Sequence, residues 1–255
     1  MLAFLKDHPF AVEAFFKSSL VLTFAIPKEQ VQHLIPECLQ LDTFRDHWAF
    51  IAVAMVQTKD LRPKGLPRIL GNDFFLIGYR VFVRYTNRVG KNLRGLYILK
   101  SETDKKKMKF FGNIFTHYHY TTTDITRTKK NGLLEIVSIK SKFNLLVENS
   151  KDENIPIPIG SPFGDWKEAR KFAGPLPFTF SYDAAKKKVL IIEGVRENWK
   201  PIPVNVLKYD FAFLANLNLN EMKLANAFII ENIPYYWKKG KTELWKKKEE
   251  NSRVF

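Results

Sequence analysis

The chain has almost no cysteine: Cys38 is the only one among its 255 residues, so no disulfide can form within it. Disulfides are typical of proteins that fold in oxidising compartments. At the N-terminus, Lys6, Asp7 and His8 follow the first apolar residues before a signal-peptide core of ordinary length could develop. We therefore expect a cytoplasmic protein without a secretion signal.

Long hydrophobic runs are also missing. The longest uncharged apolar stretches, residues 18–27 and 48–58, reach about half of the roughly 20 residues that a membrane-spanning helix needs. The sequence therefore predicts no transmembrane segment. Hydrophobic residues still make up 45% of the chain and aromatic residues 14%, which excludes a disordered protein. Without repeats, linkers or a break in composition, we expect a single domain over residues 1–255.

Arginine is scarce relative to lysine. The 41 basic residues outnumber the 26 acidic ones and give a net charge of +15, but only 11 of the 41 are arginine. Arginine is the residue suited to bidentate contacts with phosphates and guanine, and the lysines are spread over separate runs. We interpret this basic excess as a solvated surface and expect no nucleic-acid partner.

A second hypothesis stays open for the basic C-terminal segment, residues 235–248 (YYWKKGKTELWKKK). Lysines interleaved with aromatic side chains are suited to contact an anionic partner. In this alternative, the chain is a non-catalytic, basic surface-binding protein.

Motifs for common cofactors are absent as well. The sequence has neither of the glycine-rich loops that hold phosphates, no His-Glu-x-x-His and no paired cysteines, so we expect no cofactor and no metal. His117 and His119 lie two residues apart and would share one face of an extended segment, which is one requirement of a metal site. A third ligand is missing, and we interpret both as polar residues of the fold.

What the sequence does contain is a succession of short strands, which predicts a mainly β (α+β) chain with a few short helices. Residues 74–85 alternate, which places Gly78 and Arg80 on one face and Tyr79 and Val81 on the other. A sheet of this many antiparallel strands is most stable when it closes on itself. We therefore expect an antiparallel β-barrel or cone.

Three further segments carry specific expectations. Residues 48–56 (WAFIAVAMV) are apolar on both faces, as a strand covered on each side would be. Asp104 is placed to cap the N-terminus of a short helix. Residues 117–126 are predicted to form one strand.

Arg80 is the best candidate for contacting a ligand, because an arginine on an apolar strand face must find an anion or leave a costly buried charge. Its partner is either an internal carboxylate, Glu102 or Asp104, or the carboxylate of a ligand. Glu102 could act as a general base if it is buried. Tyr97, His117 and His119 complete the set of polar cavity candidates.

Several segments, taken in order, resemble an uncharacterised group of proteins known as YqjF-like, which is related in fold to acetoacetate decarboxylase. The resemblance is carried by Leu34-Ile35-Pro36, Leu41-Asp42-Thr43-Phe44, Trp48, Arg62-Pro63-Lys64-Gly65-Leu66-Pro67, Tyr79-Arg80-Val81-Phe82-Val83, Gly95-Leu96-Tyr97-Ile98-Leu99 and Asn232-Ile233-Pro234-Tyr235-Tyr236-Trp237. It implies a single domain, acetoacetate decarboxylase-like, with a central cavity.

The departures from that pattern bear on the chemistry. Acetoacetate decarboxylases use a lysine that forms a Schiff base, and the resemblance places the corresponding stretch at residues 112–120 (GNIFTHYHY), which contain no lysine. We therefore expect a protein that binds or converts a small organic acid or carbonyl compound but is not a Schiff-base decarboxylase. Assembly into a homo-oligomer is left open.

Overall fold

The computed structural model describes residues 3–148, 155–197 and 199–246, and most of these residues lie in strands. Three α-helices occur: α1 (Lys106–Phe115), α2 (Trp166–Ala173) and α3 (Ala212–Ala215). Short 3-10 turns are formed by Ala3–Asp7, Lys28–Gln30, Gln32–Leu34 and Arg68–Leu70. The strands are β1 (Val12–Pro27), β2 (Gln40–Leu41), β3 (Trp48–Pro63), β4 (Asn72–Thr86), β5 (Asn92–Thr103), β6 (Tyr120–Thr122), β7 (Thr126–Lys130), β8 (Leu133–Ser138), β9 (Phe143–Glu148), β10 (Phe178–Asp183), β11 (Lys188–Arg196), β12 (Ile202–Pro203), β13 (Asn205–Phe211), β14 (Lys223–Trp237) and β15 (Lys241–Leu244). The prediction of a mainly β fold with few short helices is confirmed.

The larger of two sheets has eleven strands and follows the order β12-β14-β1-β3-β4-β5-β10-β11-β15. Most pairs in it are antiparallel, and β10 runs parallel to β5. Strand β11 also pairs with β14 through Gly194–Trp237, Val195–Tyr236 and Arg196–Tyr235. The pairings therefore return to their starting strand, in the ring β14-β1-β3-β4-β5-β10-β11-β14.

The smaller sheet has four antiparallel strands in the order β13-β9-β8-β7. Its apolar residues, among them Ile136, Leu145 and Phe211, share the largest core cluster with residues of the larger sheet. This cluster includes Val53 of β3 and Tyr79 of β4, so the smaller sheet covers one face of the larger one. The smaller sheet leaves the opposite face of the larger sheet uncovered.

Strand β3 is the centre of the larger sheet, where it pairs with β1 on one side and β4 on the other. Its residues Ala49 to Val56 are all buried, as expected for a segment that is apolar on both faces. Odd-numbered residues such as Ile51 and Val53 face the smaller sheet. Even-numbered residues of β3 face the other way, and two of them, Ala52 and Ala54, have small side chains there.

Two local predictions need correction. Asp104 does not cap α1, because its Oδ1 accepts a hydrogen bond from the Phe75 backbone N–H at 2.8 Å and Lys105 occupies the cap position instead. Residues 117–126 do not form one strand, because β6 and β7 are separate. His119 between α1 and β6 has a positive φ of 51°, which interrupts the extended backbone.

The basic C-terminal segment is part of the larger sheet as far as it is described. Lys238 forms a salt bridge with Glu193 at 2.9 Å, and the ring of Trp245 packs edge-on against Tyr182. Lys247 and Lys248 lie outside the described residues. The described part of the segment therefore belongs to the folded domain, and its contact with an anionic partner stays a prediction.

None of the helices in the described ranges is long and apolar enough to cross a membrane.

Candidate binding cavity

A cavity of about 600 Å³ lies against the face of the larger sheet that the smaller sheet leaves uncovered. Its volume falls in the range typical of small-molecule sites. Strands β1, β3, β4, β5, β11 and β14 supply most of its wall, and α1, residues 173–176 and the segments that carry His8, Leu70 and Tyr118 contribute as well. Most lining residues are apolar, and they include Phe10, Phe16, Phe74, Phe82 and Phe111.

The charge on the cavity wall has one sign. The described lining residues include Arg62, Arg80, Lys107 and Arg196 but no aspartate or glutamate. Arg62 is neutralised by a salt bridge to Glu13. The wall thus offers positive charge that the residues around it do not balance, in surroundings that are otherwise apolar.

Arg80 lies on this wall and has no counterion among the described residues. No salt bridge or side-chain hydrogen bond joins it to any other residue in the described ranges, and its Nε atom is buried. Glu102 is paired instead with Lys100 at 3.0 Å, and Asp104 bonds to the Phe75 backbone. The internal partners that the sequence left open are therefore not used. Burial lowers the pKa of Arg80, and the positive charge of Arg196 acts in the same direction.

Small residues make the space that the Arg80 side chain occupies. Ala52 lies opposite Arg80 on β3, and Ala54 lies opposite Gly78. The guanidinium folds back over Gly78, where an added Cβ would lie only 2.9 Å from Arg80 Nε. A register shift between β4 and β5 falls between Tyr79 and Arg80, and such bulges often redirect a side chain next to a site. Gly78 and the bulge together determine the direction of the Arg80 guanidinium group.

Tyrosines surround the charge. The hydroxyl of Tyr118 lines the cavity and is buried, and within the described chain it interacts with Thr179 without a well-formed hydrogen bond. Burial raises the pKa of Tyr118, and it raises the pKa of Tyr120 to about 12. Both phenols are therefore protonated at neutral pH and can donate a hydrogen bond to an anion next to Arg80.

Arg196 is a second cation on the wall, and it is held in place. Its Nη2 donates to the Pro175 carbonyl at 2.5 Å and its Nη1 donates to Tyr235 Oη at 3.3 Å. Its guanidinium also lies 5.6 Å from the ring centroid of Trp199. These contacts fix its position without neutralising its charge, so Arg196 strengthens the positive potential near Arg80.

His8 is a cavity residue that the sequence did not single out. Its side chain is only 6% exposed, and neither ring nitrogen has a hydrogen-bond partner in the described structure. Burial lowers its pKa to about 4, so the imidazole is neutral at pH 7. No motif surrounds His8, and only the fold brings it from the N-terminal segment to this wall.

Tyr97 and Glu102 lie on the other side of the sheet from Arg80. They pair with Val81 and Ile77, whose side chains belong to the core between the two sheets. Tyr97 packs against that core, and Glu102 is buried there with its Oε1 accepting a hydrogen bond from Ser141 Oγ at 2.5 Å. Because neighbouring residues of a strand face opposite sides, neither side chain reaches the cavity.

His117 and His119 also lie apart from Arg80. They line a separate small hollow of about 270 Å³ beside the end of α1. Nε2 of His117 is 3.8 Å from Asp7, and Asp7 also binds Lys188. The described residues hold no cluster of three or more His, Cys, Asp or Glu side chains that could bind a metal. Of the five candidates, the structure places Arg80 alone on the cavity wall.

A lysine on the wall could supply an amine, but its surroundings argue against this. Lys107 is the one lysine among the described lining residues, and it lies exposed on α1. An amine that forms a Schiff base near neutral pH must be shielded from water or held beside another cation in an apolar site. Lys107 is exposed and so lacks that shielding.

Comparison with known proteins now bears on this geometry. A family model described as an uncharacterized conserved protein, DUF2071, matches residues 14–234. The chain belongs to the DUF2071 family. No curated protein matches it.

Solved structures similar to this DUF2071 protein share the acetoacetate decarboxylase fold. Acetoacetate decarboxylase from Legionella pneumophila superposes with a TM-score of 0.59 at 11% identity, covering 93% of this chain and 89% of that one. An acetoacetate decarboxylase-like enzyme from Sphingomonas wittichii gives 0.56 at 10% identity, covering 94% of each chain. The enduracididine biosynthesis enzyme MppR, complexed with pyruvate, gives 0.54 at 7% identity, covering 92% and 90%. The resemblance predicted from the sequence is confirmed, and at these identities it establishes the fold alone.

Proposed function

We propose that this DUF2071 protein binds an organic acid with a largely apolar body in the cavity, and that Arg80 contacts the carboxylate. The observation that carries the proposal is the half-buried Arg80 side chain, whose Nε is fully buried and which has no counterion in the described chain, on a wall whose described residues include no aspartate or glutamate. A buried charge without a partner is costly. A ligand carboxylate would supply the missing partner.

The rest of the wall supports an acid whose remaining surface is apolar. Phenylalanines and aliphatic side chains predominate over polar side chains among the lining residues. Burying apolar ligand surface is favourable by about 25 cal/mol per Å². Tyr118, which donates as a neutral phenol, would meet a second oxygen of the same carboxylate.

We further propose that the ligand binds without forming a Schiff base with a lysine of the chain. Lys107 is exposed, and the stretch where the resemblance places the nucleophile contains His117, Tyr118, His119 and Tyr120. None of these four forms an imine with a carbonyl compound. Incubation with acetoacetate or pyruvate and borohydride, followed by mass measurement of the intact protein, tests this point. We expect no added mass, and a stoichiometric adduct on any lysine would contradict it.

We also propose that the ring of strand pairings is the barrel or cone expected from the sequence, and that residues 1–255 form one domain. The β11–β14 pairing that completes the ring supports the first part. The family match over residues 14–234 supports the second. A cytoplasmic location and the assembly of several copies stay predictions.

Calorimetric titration with decanoate, 1-decanol and pyruvate tests the binding proposal. We expect decanoate to bind, decanol to bind more weakly, and Arg80→Met to remove the preference for the acid. Hydrogen bonds to a charged group contribute about 1.5–3 kcal/mol, so the variant should weaken decanoate binding by about 100-fold.

Arg84→Met is the matched control, since Arg84 lies on the same strand but binds Asp42. It should change stability and leave decanoate affinity unaltered. Equal affinity of wild type and Arg80→Met for decanoate would overturn the role of Arg80. Pyruvate binding that depends on Arg80, without decanoate binding, would keep the anion site and overturn the apolar body of the ligand.

A further inference from the structure

The cavity reaches the surface beside two exposed segments, residues 64–70 between β3 and β4 and residues 105–111 at the start of α1. We call these two segments the rim. Leu70 from the first segment and Lys107 and Phe111 from the second line the cavity. All three are exposed, so the rim surrounds a point where the cavity meets solvent.

The rim exposes large apolar side chains. In the first segment, Ile69 is 90% exposed and Leu70 is 54% exposed, with Leu66 nearby in the chain. In the second segment, Phe110 is 62% exposed, and its ring contacts that of Phe111. These residues account for five of the twelve large apolar side chains found exposed in the described chain. Such a concentration marks an interaction site more often than chance exposure.

The charge of the rim is entirely positive. Lys64, Arg68, Lys105, Lys106, Lys107 and Lys109 are all exposed. Neither segment contains an aspartate or a glutamate. Asp104, just before the second segment, lies 3.5 Å from Lys105 and offsets one of these cations. The other five face solvent next to the apolar side chains.

We propose that the rim docks on the surface of an anionic membrane. Apolar side chains that enter the boundary between headgroups and acyl chains, with lysines beside them that meet lipid phosphates, are the two features of an interfacial binding surface. In α1, Met108 and Gly112 are buried against the protein while Phe110 faces outward. The helix thus presents Phe110, Lys106 and Lys109 without unfolding.

An anionic membrane fits the rim better than a nucleic acid or a second copy of this chain does. A nucleic acid would use the cations but leave Ile69 and Leu70 against phosphates, where they gain nothing. A second copy of this chain would bring its own six cations against these six and be repelled. An anionic bilayer matches the charge and the apolar side chains together.

The docking also places the cavity mouth where an acid with an apolar body would be most concentrated, because such a molecule partitions from water into a bilayer. This last point rests on the proposed function. The docking itself is measured without any ligand, so either proposal can fail while the other holds.

Flotation of the full chain with vesicles tests the proposal. We expect binding to vesicles of phosphatidylcholine with 30% phosphatidylglycerol, weak binding to phosphatidylcholine alone, and weakening at high salt as screening increases. The apolar rim variant Ile69→Ser with Phe110→Ser should weaken binding to the anionic vesicles by about tenfold. Val89→Ser with Ile159→Ser, two equally exposed apolar residues elsewhere, should leave it unchanged.

A second pair of variants separates local from overall charge. Lys105→Gln, Lys106→Gln and Lys109→Gln together should weaken vesicle binding by about tenfold or more. Lys129→Gln, Lys130→Gln and Lys187→Gln remove the same charge from exposed positions away from the rim, and they should have a much smaller effect.

Three results would overturn the proposal. One is equal loss of binding in both lysine variants, which would indicate attraction by overall charge. Another is that the wild-type protein sediments as a dimer and that the Ile69 and Phe110 substitutions dissociate this dimer. The third is tight, salt-resistant binding to duplex DNA in place of vesicles.

Discussion

Arg80 and Arg84 lie four residues apart on the same face of β4, and their surroundings differ. Arg84 Nε donates to Asp42 Oδ1 at 2.5 Å, and Arg94 Nε donates to Asp42 Oδ2 at 2.6 Å. Asp42 is completely buried between them. Arg80, by contrast, has no carboxylate partner anywhere in the part of the chain that the structure describes.

The difference separates two uses of arginine in one strand. Asp42 joins β4 and β5 through their arginines, and its backbone N–H donates to the Phe82 carbonyl at 3.0 Å, so this cluster stabilises the fold. Arg80 contributes no such contact and costs stability through desolvation. The ligand carboxylate that we propose for the cavity would offset that cost.

The largest effect should come from breaking the paired cluster. Asp42→Asn leaves Arg84 and Arg94 without a counterion, and loss of one partner of a buried ion pair typically costs about 3–5 kcal/mol. We expect the free energy of unfolding in urea to fall by about that amount. Asp46→Asn, at an exposed carboxylate paired with Lys28, should cost less than about 1 kcal/mol. Equal effects of the two substitutions would show that Asp42 is not structural.

A smaller effect should come from His8, another unpaired group of the cavity wall. Burial lowers its pKa from 6.5 to about 4 in the folded state, so only the unfolded chain takes up a proton between these values. The free energy of unfolding therefore falls as pH drops through this window, and His8 should account for about 2 kcal/mol between pH 8 and pH 5. Removal of the imidazole should reduce the pH dependence by that amount.

The measurement compares urea unfolding of wild type and His8→Phe at both pH values. His117, whose pKa burial also lowers, contributes in the same direction and stays present in both proteins. His33→Gln, which removes an exposed histidine in place of a buried one, is the control. If His8→Phe behaves like wild type, the His8 ring is not buried in its neutral form.

The smallest effect tests how Arg80 is positioned. Gly78→Ala would place a Cβ 2.9 Å from Arg80 Nε and force the guanidinium to shift. Because the side chain is flexible, we expect decanoate affinity to fall about fivefold, or ~1 kcal/mol, with little change in the free energy of unfolding.

Calorimetric titration of Gly164→Ala serves as the comparison for Gly78→Ala. A Cβ at Gly164 meets only an ordinary contact, 3.6 Å from Glu168 Oε2, so the affinity should match wild type. Unchanged decanoate affinity in Gly78→Ala would indicate that the space over Gly78 does not fix the position of Arg80.

The sequence was sufficient for the mainly β class of the fold and for the faces of β4. Alternation of apolar residues placed Arg80 opposite Tyr79, and the structure has Tyr79 and Val81 in the core between the sheets while Arg80 and Phe82 line the cavity. Alternation is a property of an extended backbone, so it can be read locally. Segment 117–126 was harder, because a positive φ at His119 follows from how α1 ends and not from an apolar pattern.

By itself, the sequence determined a mainly β chain, the family resemblance, and the position of an arginine on an otherwise apolar strand face. Only the tertiary structure decided that Glu102 lies behind the sheet, that Asp42 pairs with Arg84 and Arg94, and that His8 and Tyr118 join Arg80 at one cavity. These relations depend on which strands pair and on a bulge between Tyr79 and Arg80. Contacts between residues far apart in the chain are fixed by strand register, which local side-chain patterns do not specify.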